Sequence, residues 1–97
     1  MWTVRLHRLV LAEDLPALDP ATQKRILKAI QKKLTTYPGQ YGEPLRGQLF
    51  GLWKLRVDDY RVIYRMVEEV LEVFVIQIGI RRDFAVYEAA LKRLQKL

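Results

Sequence analysis

An α+β fold is predicted, a small antiparallel β-sheet with two helices from the amino-terminal half of the chain and one from its carboxyl end. Apolar residues recur at helical spacing through residues 19–37, at strand spacing through two hairpins between Leu52 and Ile80, and at helical spacing again after Asp83.

Ninety-seven residues suit one domain, 1–97, with enough chain to bury a core without metals or disulfides. Half of the residues are hydrophobic and 29% are charged, a globular composition. The absence of cysteine excludes a disulfide scaffold, a thiolate metal site and a cysteine nucleophile, and the single histidine, His7, excludes a multi-histidine metal cluster. No metal or other cofactor is therefore expected. The first eight residues are interrupted by charge and lack the apolar core of a signal peptide. The longest uncharged stretch, Val73 to Ile80, is far too short to span a membrane. A cytoplasmic protein is expected. Its 17 Lys+Arg against 11 Asp+Glu give a net charge of +6, which favours polyanionic partners such as RNA, DNA or an acidic protein.

Trp2, Val4 and Leu6 alternate with Thr3, Arg5 and His7, the period of a half-buried strand with His7 on its polar side. A surface position is expected for that histidine, without a catalytic role. Apolar residues at 11, 15 and 18 suit a short helix that Pro16 must end or bend. Asp19-Pro20 then opens a longer helix, because Asp caps free N–H groups and Pro suits the first helical position. Its apolar stripe is Ile26, Leu27, Ile30 and Leu34, and Tyr37-Pro38-Gly39 stops it. Lys28 and Lys32 lie on its basic remainder, where RNA phosphates could be met. Residues 38–51, rich in glycine and proline, read as a loop without a phosphate-binding signature. Strands follow at Leu52–Val57, Tyr60–Val67 and Val70–Ile80, turned at Asp58-Asp59 and Glu68-Glu69. Asp83 caps the last helix, whose stripe is Phe84, Tyr87, Leu91 and Leu94.

A two-residue turn at Asp58-Asp59 sets Val57 opposite Tyr60, Arg56 opposite Arg61 and Lys54 opposite Ile63. Trp53, Leu55, Val57, Tyr60, Val62 and Tyr64 then share a core face, and Lys54, Arg56, Arg61 and Arg65 share the other. Like charges directly opposite are destabilising unless an anion or acidic group lies between them. Glu72 is expected opposite Arg65, and nothing comparable answers Lys54, Arg56 and Arg61. The cluster therefore reads either as an anion site or as side chains splayed into water.

The segments Pro44-Leu45-Arg46-Gly47, Lys54-Leu55-Arg56, Asp59-Tyr60-Arg61-Val62-Ile63-Tyr64, Gly79-Ile80-Arg81-Arg82 and Val86-Tyr87 resemble the RelE/ParE toxin superfamily over essentially the whole chain. The resemblance implies a RelE-like toxin of a type II toxin–antitoxin system, a ribosome-dependent endoribonuclease cutting mRNA by 2′-OH attack. It also implies an acidic antitoxin partner and a toxin–antitoxin heterotetramer. The family's catalytic positions fall on Lys54, Arg61, Arg81 and Tyr87; beside them Arg56, Arg82, Lys28 and Lys32 are expected as phosphate contacts from their own placement. Arginine forks match phosphate oxygens and stay protonated, which suits Arg61 and Arg81 to an anionic phosphorane. The family points to Lys54 as base and Arg81 as acid. Tyr87 either stacks on a base or orients the 2′-OH, unless its apolar stripe places it in the core. Leu52 and Ile80 stand where the family often carries proton-transfer groups. Two other readings stay open, a ParE-like inhibitor of DNA gyrase and a non-catalytic module that binds RNA or the ribosome.

Overall fold

The computed structural model describes residues 1–81 and 85–95. The sheet is organised around the hairpin at Asp58-Asp59. Strands β3 (Trp53–Val57) and β4 (Tyr60–Val67) pair antiparallel in the expected register, with Arg56 opposite Arg61 and Lys54 opposite Ile63. Asp58 takes the left-handed conformation (φ 54°) that closes the turn, a region Asp enters more readily than most residues.

The next connection differs from expectation. Strand β5 (Glu72–Ile80) begins only after a 3₁₀ turn at Glu68–Val70 and a left-handed Leu71 (φ 49°). The longer turn puts Glu72 opposite Val67 and Phe74 opposite Arg65, and a bulge further along leaves Tyr64 opposite Val75 but Ile63 opposite Gln77. Glu72 instead accepts from Arg5 Nε at 3.2 Å, while the Arg65 guanidinium lies over the Phe74 ring.

The sheet order is β1-β5-β4-β3-β2, with β1 at Thr3–Leu6 and the two-residue β2 at Glu43–Pro44. The α+β class stands, but β1 runs parallel to β5, so the sheet is mixed. Such a pairing needs a long crossover, and the helices supply it.

Helix α1 (Pro20–Ala29) is capped as expected, with the Asp19 side chain accepting from Thr22 N at 3.2 Å, and it continues as a π-helical turn, Ile30–Leu34. Ile26, Ile30 and Leu34 pack on Leu55, Val62, Tyr64, Val73 and Val75, whereas Leu27, expected on that stripe, is exposed. The helix predicted before Pro16 is a short π-helical segment, Val10–Asp14. The helical run ends at Leu34, before Pro38, and Pro38 opens a four-residue helix, α2 (Pro38–Tyr41), so residues 38–51 are not one loop. They hold α2, β2 and a 3₁₀ turn at Gly47–Leu49.

Helix α3 (Ala85–Gln95) covers the second sheet face, packing Val86, Tyr87 and Ala90 on Leu52, Ile63, Phe74 and Ile76. Coverage on both faces explains the nearly unbroken apolar run of β5. It also limits the polar face of the β3–β4 hairpin to what α3 leaves uncovered, since Ile63 is fully buried. The expected cap Asp83 and stripe residue Phe84 lie outside the described residues. No helix among those residues is long and apolar enough to cross a membrane.

His7 lies just past β1, buried rather than on the surface, stacked on Phe74 with Nδ1 accepting from Leu9 N at 3.0 Å. Desolvation, then the nearby Arg93 and Arg8 charges, hold its pKa below the ordinary 6.5, against a smaller opposing effect of Asp14. Its folded-state contribution is therefore present above pH 6.5 and is lost as pH falls through that value toward the depressed one. Thermal melts at pH 7.5 and 5.5 are expected to separate more for the wild type than for His7→Gln; equal separation counts against this assignment.

Candidate active site

Four of the predicted residues come together at one end of the hairpin. Lys54, Arg56, Arg61 and Arg81 line a cavity of about 400 Å³ on the α3 face of the sheet. Lys54 and Arg56 come from β3, Arg61 from β4, and Arg81 from the residue following β5. The Arg81 backbone is fixed to the hairpin turn through its N–H, which donates to Asp59 O at 2.8 Å.

Arg61 is the most constrained of the four. It is 6% exposed, and its Nη1 donates to Asp58 O at 3.1 Å and to Tyr60 O at 2.9 Å. The turn carbonyls thus hold one edge of the guanidinium, and they answer part of the question raised by Arg56 directly opposite. Arg56 and Arg81 are exposed, and Arg25 pairs with Asp58 (3.4 Å) at the rim of the turn. The cavity gathers four cationic donors around one space, a chemistry suited to phosphate oxygens.

Sequence reasoning missed the fifth lining residue, Glu43. It sits on β2 directly opposite Lys54 and forms no ion pair with a described residue. Its placement depends on Tyr64, whose hydroxyl is buried in the core and donates to Pro38 O at 2.6 Å. Burial pushes that phenol's pKa up, so it remains a donor. Gly42 fits over the same hydroxyl, because a Cβ there would overlap Tyr64 and crowd Lys54 O. The contact sets β2 down against β3 and brings the Glu43 carboxylate to the cations. The local signal was weak: one acidic residue in a glycine- and proline-rich stretch, with a strand of two residues.

Tyr87 is both core and site neighbour. It is 7% exposed in the cluster under α3, and Lys54 Nζ lies 5.9 Å from its ring centroid. It lines a second, more apolar pocket of about 260 Å³ with Arg46, Gln48, Leu49, Glu88 and Leu91. Lys28 and Lys32 do not join the site. Both are exposed on the α1 segment, which packs on the opposite sheet face, because Ile26, Ile30 and Leu34 commit the apolar side of that helix to the other core. Arg82 lies outside the described residues. Among those residues no three His, Cys, Asp or Glu side chains are grouped to hold a metal ion.

The family model described as the ParE toxin of the type II toxin–antitoxin system, parDE, matches residues 4–83. The chain belongs to the RelE/ParE family of toxins. Within that family it is 30% identical to toxin RelG of Mycobacterium tuberculosis over 70 residues, 72% of this chain and 80% of RelG. It is 44% identical over 41 residues to the mRNA interferase toxin RelE of Escherichia coli, a match covering 42% of this chain and 43% of that toxin's length. Among solved structures it is similar to a chain of the toxin–antitoxin complex RelBE2 from M. tuberculosis, with a TM-score of 0.78 and 29% identity over 82% of this chain and 98% of that one. The cationic cavity and its bordering tyrosine are what this RelE/ParE chain presents on that fold.

Proposed function

We propose that this RelE/ParE-family chain is an mRNA endoribonuclease that acts on the ribosome in the cytoplasm and is restrained by an acidic antitoxin. The observation that carries this reading is the cavity itself, with four cations and one carboxylate lining one space of about 400 Å³, roomy enough for a phosphate together with its ribose. Attack by a ribose 2′-OH on the adjacent phosphate needs a proton acceptor, counter-charge for the phosphorane, and a proton for the leaving 5′-oxygen. Glu43 supplies the proton acceptor and Lys54 the donor. The 2′-oxygen bonds to phosphorus as its proton passes to Glu43, the P–O5′ bond breaks with a proton from Lys54, and a 2′,3′-cyclic phosphate remains. Arg61 and Arg81 hold the phosphorane oxygens, and Arg56 guides the flanking phosphate. This division moves the acceptor role from Lys54, where the family pattern pointed, to the carboxylate facing it.

Glu43→Gln keeps the shape and removes the acceptor. It is expected to slow cleavage about a hundredfold or more, with binding to ribosomes retained. A variant cutting at the wild-type rate returns the acceptor role to Lys54. RelG and the E. coli toxin carry the names toxin and mRNA interferase, and the RelBE2 structure is a complex with an antitoxin. These support the reading of function and partner.

The description of the matching family model favours a second reading, a ParE-like inhibitor of DNA gyrase. Purified protein added to translating ribosomes with mapping of mRNA 5′ ends, and in parallel to a gyrase supercoiling assay, separates the two. New 5′ ends without gyrase inhibition are expected, and the reverse pattern overturns the endoribonuclease.

A further inference from the structure

Outside the cavity, the described residues hold one deeply buried ion pair, Asp14 with Arg93. Their side chains are only 7% and 9% exposed. The pair is bidentate, with Arg93 Nη1 to Asp14 Oδ2 at 2.7 Å and Nη2 to Asp14 Oδ1 at 3.1 Å. Each partner also binds the backbone of β5: Arg93 Nη1 donates to Ile76 O at 2.9 Å, and Asp14 Oδ2 accepts from Ile78 N at 2.9 Å. The site of these bonds has a structural reason. Strand β1 stops at Leu6 opposite Val75, and the chain's last ladder-like bond to β5 runs from His7 N to Val75 O. Beyond Val75, a carboxylate from the π-helical segment and a guanidinium from α3 satisfy β5 where β1 no longer runs beside it.

Buried charges are not needed for mere adhesion, since apolar residues of similar volume often stabilise as well or better. What a bidentate pair adds is direction. Successive helical residues turn about 100°, so Arg93 and Tyr87 stand about 120° apart around α3 on either side of the stripe formed by Val86 and Ala90. Apolar contacts along such a stripe tolerate a roll of the helix, whereas a forked bond at its edge does not. A roll moves Tyr87 relative to Lys54.

We propose that the Asp14–Arg93 pair is a positioning device that fixes the roll of α3 and thereby holds the Tyr87 ring beside Lys54 at the cavity. Neither residue lines the cavity. They act through Tyr87, and the consequence for cleavage rests on the endoribonuclease reading above.

Arg93→Gln and Arg93→Lys test it, the second retaining charge but not the fork. In cleavage of ribosome-bound message, each folded variant is expected to lose about tenfold in kcat with KM for ribosomes within about twofold, and the loss is expected to shrink below twofold in a Tyr87→Leu background, which has no ring to position. An equal loss in both backgrounds, or no loss in a folded variant, overturns the proposal. A second measurement needs no activity: the ring-current shift of the Lys54 side-chain protons by Tyr87, read by NMR in the uncomplexed protein. Its collapse in Arg93→Lys, with the amide spectrum of the sheet preserved, is expected. Collapse in a protein whose wild type cuts no RNA sinks the endoribonuclease and leaves the positioning device standing. A shift unchanged in both variants sinks the device alone, and if Arg93→Gln does not fold, Arg93→Lys decides.

Discussion

Arg61→Ala is expected to slow cleavage of ribosome-bound mRNA by a hundredfold or more, the usual effect of removing one preorganised donor from a charge-stabilising site. The arginine is held 6% exposed, with its guanidinium braced by Asp58 O and Tyr60 O, so little reorganisation is needed when charge develops on phosphorus. The same bracing ties Arg61 to the fold as well as to the chemistry. Alanine strips a donor from two turn carbonyls, and a stability loss of about 1–2 kcal/mol should accompany the loss of rate. The measurement must therefore be made on protein shown to be folded by its melt. Arg61→Lys separates the two consequences: it keeps the charge and loses the fork, so it should recover part of the rate. Arg56→Ala, which removes an exposed cation from the same cavity, should act mainly on binding and its salt dependence. Growth arrest by folded Arg61→Ala at wild-type strength would remove Arg61 from the site.

The β3–β4 hairpin was legible because a two-residue turn leaves one register. Alternation of side chains then placed Arg56 opposite Arg61 without further information. The β4–β5 pairing was not legible, because Glu68-Glu69 resembles the start of an equally short turn while the chain needs Leu71 in a left-handed conformation and a bulge further along. The longer turn alone moved Arg65 from Glu72 onto Phe74, the bulge shifted the pairing beyond Tyr64, and no residue pattern encodes either locally. Parallel pairing of β1 with β5 is hidden for a related reason: its partners lie about 70 residues apart, as with Thr3 and Glu72. His7 was misplaced because strand alternation was carried one residue past the strand. In the candidate site, cations clustered along two paired strands could be read from the sequence. Glu43 could not, since its place depends on Tyr64 reaching Pro38 across the fold. The basic side of α1 misled in the other direction, because spacing along a helix does not say which sheet face the helix covers.

Naked RNA is expected to be cut about a thousandfold or more slowly than the same message held in the decoding site of a ribosome. The charge of the cavity suits a phosphate, yet its four cations and one carboxylate come from two paired strands, a two-residue strand and the start of a connection. These groups fix where phosphorus sits. Nothing in that arrangement turns the neighbouring ribose so that its 2′-oxygen approaches in line with the departing 5′-oxygen. Flexible single-stranded RNA seldom adopts that geometry unaided, and aligning reacting atoms can supply about 7–11 kcal/mol of a barrier. A ribosome that bends and exposes the message supplies this alignment from the substrate side, while the protein supplies charge and proton transfer. Glu43, opposite Lys54 in the register, adds the proposed acceptor that the sequence did not suggest, but a carboxylate there does not align the ribose. Mapping 5′ ends on one mRNA with and without ribosomes, at matched protein and salt, reads the difference directly. Comparable rates in the two conditions would show that the cavity aligns its own substrate and would remove the ribosome from the mechanism.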